Sequence, residues 1–270
     1  MDTLRGGFGG SIPANYDRYL RPFLFEPYAD DLVKRLKPKP TIRVLEVACG
    51  TGVLTERLER TLGPDAAIVA SDLNPAMVEF ARSRLPNSKA TWQAADASKL
   101  PFDDASFDAN VCQFGWMFFP DKGQCAREAR RVLMPGGQLL FNVWESLERN
   151  EVAFIVQTCL VRILGDSAPT FLHVPYGYHD PDAIKRLMAG AHFVEVTIVP
   201  LELESTCPSA EAAARGFIEG TPTANELSTR GPDVLQRVLA SATKDIAARF
   251  GNGPLRVPLR ALVCSGIAAR

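Results

Sequence analysis

Between residues 42 and 144, apolar runs of strand length alternate with segments whose apolar positions recur at helical spacing. Residues 42–48 (IRVLEVA), 66–71 (AAIVAS), 91–94 (TWQA), 107–113 (FDANVCQ) and 138–144 (QLLFNVW) predict five strands. The segment 53–62 sets Leu54, Leu58 and Leu62 on one helical face. Asn74 and Pro75 supply an N-cap and a first-turn proline for a helix reaching residue 85. A further helix over 122–133 ends before a PGG turn. Strands that are almost continuously apolar and alternate with helices predict a parallel sheet covered on both faces.

The flanks are less regular. Residues 1–13 are glycine-rich and are expected to be mobile. Residues 15–36 mix aromatics with charges. Pro22 and Pro27 are expected to break this stretch into short helical pieces before a helix over 26–36, which the PKP at 38–40 stops. After residue 144 come an apolar helix (152–164), an aromatic loop (SAPTFLHVPYGYHDP) and a helix at 183–188. Then follow a long strand (HFVEVTIVPLELE), helices near 210–218 and 232–249, and a closing strand, LRALVCSGIAA. These patterns segment the chain into an N-terminal helical piece (1–40), an α/β core (41–145), an insertion (146–190) and a C-terminal part completing the sheet (191–270).

Composition narrows the function classes. The hydrophobic fraction of 46% and charged fraction of 23% are ordinary for a globular protein. A net charge of -1 with no Lys/Arg block gives no reason to expect nucleic acid. No apolar run is long enough to span a membrane, and the N-terminus lacks a signal-peptide core. The six cysteines are scattered with no C-x-x-C pair, which argues against a zinc site and fits a reducing cytoplasm; no metal is expected.

The chemistry concentrates where the first strand meets its helix, in VLEVACGTGVL. Gly50 and Gly52 leave the backbone bare, and the helix beginning at Val53 offers unpaired N–H groups to a ligand. Twenty residues after Gly52, Asp72 ends the second strand, where a carboxylate can accept hydrogen bonds from a ribose. A dinucleotide site would want a third glycine, and none follows in the helix. Glu46 opposes a pyrophosphate and suits a ligand with a cationic amino-acid end. The turn by itself remains open to a second reading as a tight strand–helix corner.

Four stretches in order, VLEVACGTG (44–52), VASDLNPAMVEFAR (69–82), AADASKLPFDDASFDAN (94–110) and EARRVLMPGGQLLFNVW (128–144), resemble the class I S-adenosylmethionine-dependent methyltransferases. The similarity is greatest to the subgroup of ubiquinone/menaquinone-biosynthesis methyltransferases. The resemblance implies a doubly wound, seven-stranded, mostly parallel α/β sheet of Rossmann-like type with its last strand antiparallel and a helical lid or insertion. It implies S-adenosyl-L-methionine as cofactor, leaving S-adenosyl-L-homocysteine. Glu46, Ala48, Gly50 and Gly52 would line the methionine end, and Asp72 would hold the ribose. Leu73 and Met77 would lie along the adenine, with Asp96 on its amino group and the Ala97 N–H on a ring nitrogen. Gln113 and Phe114 would face the methionine portion and the methyl group. Ala48 departs from the glycine common at that position in the family. Met77 also fits plain core packing, and Asp103, Asp104 and Asp108 fit turn and strand-start duty.

Methyl transfer from a sulfonium needs alignment and exclusion of water more than a catalytic side chain. His173 and His179 in the aromatic loop are the only candidates for a base that the sequence offers, whereas His192 reads as structural. The resemblance places the acceptor pocket outside the core strands, in segments that here carry Tyr16, Tyr19, Phe23, Trp116, Met117, Phe118, Phe119, Trp144, Phe171, Tyr176 and Tyr178. Such a lining suits a small-molecule acceptor, partly apolar or aromatic. The run 116–119 reads equally as pocket or core. Residues 16–25 read as a lid over the site or as a fixed helix at the sheet edge. Two other functions share this pattern: a nicotinamide-dependent oxidoreductase, and a non-catalytic binder of S-adenosylmethionine.

Overall fold

The structure, a computed structural model, describes residues 10–37 and 39–270. The expected mobility of the glycine-rich N-terminus falls mainly on residues 1–9, and part of the PKP stop falls on Pro38; both lie outside the described residues. The described chain divides into two compact units. One, the sheet unit, comprises Tyr28–Trp144, His179–Leu201 and Ala261–Arg270. The other, the helical unit, comprises the described residues up to Pro27 with Glu145–Tyr178 and Glu202–Arg260.

The sheet has seven strands: β1 (Arg43–Val47), β2 (Ala67–Asp72), β3 (Thr91–Ala94), β4 (Phe107–Gln113), β5 (Leu133–Trp144), β6 (Phe193–Cys207) and β7 (Leu255–Ala268). They lie in the order β3-β2-β1-β4-β5-β7-β6. β1 pairs in parallel with β2 on one side and β4 on the other, so the strand order reverses at β1. Ligands in open α/β sheets bind beyond the carboxyl ends of the strands at such a reversal. β7 runs antiparallel to β5, with Gln138 opposite Ile267 and Trp144 opposite Ala261. The seven-stranded, mostly parallel sheet inferred from the sequence is therefore the observed one.

Local chemistry explains the element ends within the sheet unit. The Asn74 side chain accepts the Ala76 N–H at 3.0 Å and Pro75 opens the helix Pro75–Arg84. Asp121 accepts the Gln124 N–H at 2.8 Å at the start of the helix Lys122–Val132. The PGG run does not end in a free turn, as expected, but bulges inside β5. Pairing jumps from Phe107 opposite Leu133 to Ala109 opposite Gln138, and Gly136 takes φ 81°. The core between sheet and helices includes Val44, Leu45, Leu58, Leu139, Leu140 and Phe141, all fully buried.

In the helical unit the N-terminal stretch departs from expectation. Pro22 does not break it. Ile12–Asn15 is α-helical and Tyr16–Phe25 is a π-helix that passes without a loop into the helix Glu26–Arg35, whose residues from Tyr28 on belong to the sheet unit. The wider π turn relieves the clash a proline ring makes with the carbonyl four residues back, and needs no bond from its missing N–H there. Helix Ala210–Glu219 lies against this π segment: the Phe23 ring meets Phe217 edge-on at 6.5 Å, and Gly216 admits Leu20. Helices Glu151–Leu164 and Pro232–Phe250 pack alongside, with Cys159, Leu160, Val238, Ala242 and Ile246 buried.

Candidate cofactor site

β1 ends at Val47, and the next five residues form the turn. Ala48 (φ 58°), Gly50 (φ 54°) and Gly52 (φ 80°) are all left-handed, at every second position. Two glycines adopt this freely; Ala48 does so at a steric cost of about 1–2 kcal/mol. The turn is tied to β2 by the Cys49 N–H, which donates to the Ser71 carbonyl at 2.9 Å. The two glycines do different work. A Cβ on Gly50 would meet nothing within 4 Å, so its bare backbone borders open space. A Cβ on Gly52 would stand 3.1 Å from Trp92 and 3.2 Å from Leu85. At Gly52 the space is filled by protein.

Two carboxylates flank this turn. Asp72, at the end of β2, accepts the Gly50 N–H on Oδ2 and the Asn74 N–H on Oδ1, both at 2.9 Å. Burial raises its pKa against the pull of these N–H groups. Glu46, on β1, is 1% exposed and accepts the Thr55 hydroxyl at 2.6 Å. Burial pushes Glu46 up to about 8, against the lowering effect of the Thr55 bond and with a contribution from the Asp72 charge. Two adjacent carboxylates that resist ionisation form a site that a cation would favour electrostatically.

The other candidates from the sequence lie along the same strand ends. After β2, Leu73 is 37% exposed, whereas Met77 is buried on its helix. After β3, Asp96 Oδ1 accepts both the Ser98 N–H (2.9 Å) and hydroxyl (2.7 Å), with buried Ala97 between them. At the end of β4, Gln113 is half-buried and Phe114 takes a left-handed φ of 51°. The acidic cluster takes the structural role: Asp104 pairs with Arg131 at 2.7 Å, and Asp108 with Lys39 at 2.7 Å and the Arg43 N–H at 2.9 Å.

Three residues escaped the sequence reading. Asn142 on β5 accepts the Phe114 N–H at 2.9 Å and fixes that left-handed residue. A polar residue inside QLLFNVW was the signal for it. Gly115 packs against Ala48, and Arg84 reaches the turn from the helix Pro75–Arg84. Neither carries a local sequence signal.

The candidates for acceptor contact fall in both units. In the sheet unit, Trp144 is buried and stacks on Phe114 at 3.7 Å, with Tyr28 edge-on to both rings. Trp116 is buried and stacks on Phe141 at 4.6 Å, which is core packing, while Phe118 is half-buried. In the helical unit, Tyr16 stacks on Phe25 at 4.8 Å, Tyr19 and Phe171 are half-buried, and Tyr176 is buried. His173 and His179 are both exposed, one in each unit. Among the described residues, no group of His, Cys, Asp and Glu could hold a metal ion, and no helix is long and apolar enough to cross a membrane.

Residues 45–141 match the methyltransferase domain family. The chain is 41% identical over 101 residues to the ubiquinone/menaquinone biosynthesis C-methyltransferase UbiE of Hahella chejuensis, covering 36% of this chain and 41% of that protein. It is 30% identical over 169 residues to the UbiE of Pseudomonas paraeruginosa, covering 57% and 66%. The chain thus spans well under the full length of these curated relatives. Among solved structures it superposes on phosphoethanolamine N-methyltransferase 2 of Haemonchus contortus in complex with S-adenosyl-L-methionine. That superposition has a TM-score of 0.65 at 14% identity, covering 100% of this chain and 60% of that one; such a likeness establishes the fold. Residues 45–141 are thus a methyltransferase domain by family match, and the fold and strand-end turn resemble the class I, S-adenosylmethionine-dependent kind. Within that class the chain resembles the UbiE enzymes. The match leaves the nicotinamide-dependent alternative without support.

Proposed function

We propose that the chain transfers the methyl group of S-adenosylmethionine to a small, partly apolar or aromatic acceptor. One observation carries the reading: Gly50, whose Cβ position borders open space, donates its N–H to the carboxylate of Asp72. A ligand that offers hydroxyls to a carboxylate and also brings a cation fits this corner. S-adenosylmethionine has both.

When bound, it supplies a sulfonium-activated methyl group. The residues of this chain would bind and orient it. Asp72 would accept from the ribose hydroxyls, and Asp96 with the Ala97 N–H would hold the adenine. Glu46, ionised in the presence of the cationic end, would offset its charge from beneath the turn. Leu73, Met77, Ala48, Gln113 and Phe114 would complete the lining. Catalysis then rests on alignment and exclusion of water, each able to remove several kcal/mol from a barrier. A base is required only where the acceptor must lose a proton before attack. The aromatic residues of the strand-four loop support an apolar or aromatic acceptor.

The test has two stages. Mass spectrometry of ligand carried through purification should find S-adenosylhomocysteine or S-adenosylmethionine; NAD in its place would reject the reading. Transfer of labelled methyl groups across a panel of phenols, quinols, amines and carbon acids should then identify the acceptor class. Tight donor binding with no transfer to any of them would favour a non-catalytic binder.

A further inference from the structure

Asp72 holds the glycine turn at the Gly50 N–H, and Arg84 holds it at its carbonyls. Arg84 ends the helix Pro75–Arg84, and its Nε donates to the Thr51 carbonyl at 2.8 Å. Its two terminal nitrogens donate to the Gly52 carbonyl and to Glu56 Oε2, each at 2.8 Å. The guanidinium is thus spread across two consecutive peptide groups of the turn and one carboxylate of the helix Val53–Thr61 that the turn starts. The planar, rigid donor fork of arginine suits this, and a lysine ammonium cannot reproduce it.

The same helix also wedges the turn sterically. Ala81 and Leu85 fill the space where a Gly52 side chain would stand, at 3.3 and 3.2 Å. Gly52 is the N-cap of the helix Val53–Thr61 and gives it no side-chain cap. The turn's carbonyls at residues 51 and 52 are therefore engaged from the protein side by a cation. The uncapped start of the helix keeps its N–H polarity for a ligand. The positive charge of Arg84 also acts on Glu46, opposing the effect of burial on that carboxylate. Side-chain exposure of Arg84 is 15%, so this charge works with little solvent screening.

We infer that Arg84 is a positioning residue for the donor. It touches no ligand, but it fixes the peptides at Thr51 and Gly52 so that the left-handed turn is formed before the donor arrives. The inference rests on the proposed function, because the ligand it serves is the donor assigned there. Preformed geometry removes the ordering cost that a loose turn would charge against binding.

The experiment is calorimetric titration of S-adenosylhomocysteine into wild type, Arg84→Met and Arg84→Lys, below the melting temperature of each protein. Arg84→Met keeps most of the apolar stem but loses every donor, and its Kd should rise about tenfold or more, as loss of several charge-assisted bonds implies. Arg84→Lys should recover part of this affinity. Hydrogen exchange at residues 48–55 of the ligand-free protein should quicken in Arg84→Met. A lower melting temperature with unchanged Kd in the folded variants would overturn the inference, leaving Arg84 a plain structural brace. Absence of S-adenosylhomocysteine binding in wild type would instead overturn the proposed function on which it rests.

Discussion

Gly115 lies so close to Ala48 that a Cβ on the glycine would stand 2.6 Å from the alanine methyl. The contact joins the end of β4 to the turn after β1, at the point where the strand order reverses. A side chain at 115 would also meet Cys112 Sγ at 2.6 Å. Gly115→Ala should therefore cost about 1–3 kcal/mol, the range for overpacking. It should weaken donor binding too, because relief of the contact with Ala48 displaces the turn. Chemical denaturation and titration of S-adenosylhomocysteine measure both. In an Ala48→Gly background the cost should shrink, since one of the two clashing groups is gone. An equal cost in both backgrounds would show that Ala48 does not limit the site.

Asp72 combines a structural and a ligand-facing duty. Each of its oxygens already accepts a backbone N–H, from Gly50 and from Asn74. Asp72→Ala should weaken donor binding by about 1.5–3 kcal/mol, the range for losing charge-assisted hydrogen bonds. Asp72→Asn keeps one acceptor oxygen and should lie between alanine and wild type. Unchanged affinity in a folded Asp72→Ala protein would remove the ribose assignment.

Glu46 makes donor binding and stability depend on pH in opposite senses. The folded, ligand-free protein holds the Glu46 proton up to about 8, whereas an unfolded chain releases it near 4.5. Between those values the folded state binds more protons, so its stability falls as pH rises and is lowest above about 8. Asp72 shifts in the same direction. A cationic donor favours the ionised pair, so S-adenosylmethionine affinity should rise across the same window with release of a proton. Titrations in buffers of different ionisation heat would count that proton. Glu46→Gln should flatten both trends, and a pH profile unchanged by that substitution would refute the coupling.

The sheet was legible because its strands are continuous apolar runs broken by recognisable caps. Asn74–Pro75 marked a helix start, whereas the PGG run, expected as a turn, became a bulge inside β5. The turn was legible through Gly50 and Gly52, which take the left-handed φ that glycine adopts freely. Gly52 has a further duty, because Trp92 and Leu85, forty and thirty-three residues away, fill the space where its side chain would stand. Arg84, Gly115 and the aromatic stack of Phe114 on Trp144 depend on such long-range neighbours, which periodicity does not register. Proline chemistry misled at residue 22 for the same reason: a π-helix held by tertiary packing admits a residue that would break an α-helix.

That packing bears on whether residues 16–25 can serve as a lid. Leu20, Phe23, Leu24 and Phe25 are buried, and the Phe23 carbonyl accepts the Ser205 hydroxyl. Asn15 donates to the Glu219 carbonyl at 3.4 Å, and Gly216 is close enough to Leu20 that a Cβ would stand 2.6 Å from it. A flap that swings alone would have to strip these apolar contacts, at about 1.5–3 kcal/mol for each large side chain exposed. The segment should move, where it moves at all, together with helix Ala210–Glu219. Hydrogen exchange should then report equal protection changes in residues 11–28 and 210–219 when S-adenosylhomocysteine is added. Gly216→Val should destabilise the helical unit by about 1–3 kcal/mol through overpacking against Leu20 and Tyr19. Limited proteolysis should show the N-terminal stretch of that variant cut first. Ligand-dependent protection confined to residues 11–28, with 210–219 unaffected, would restore the independent lid.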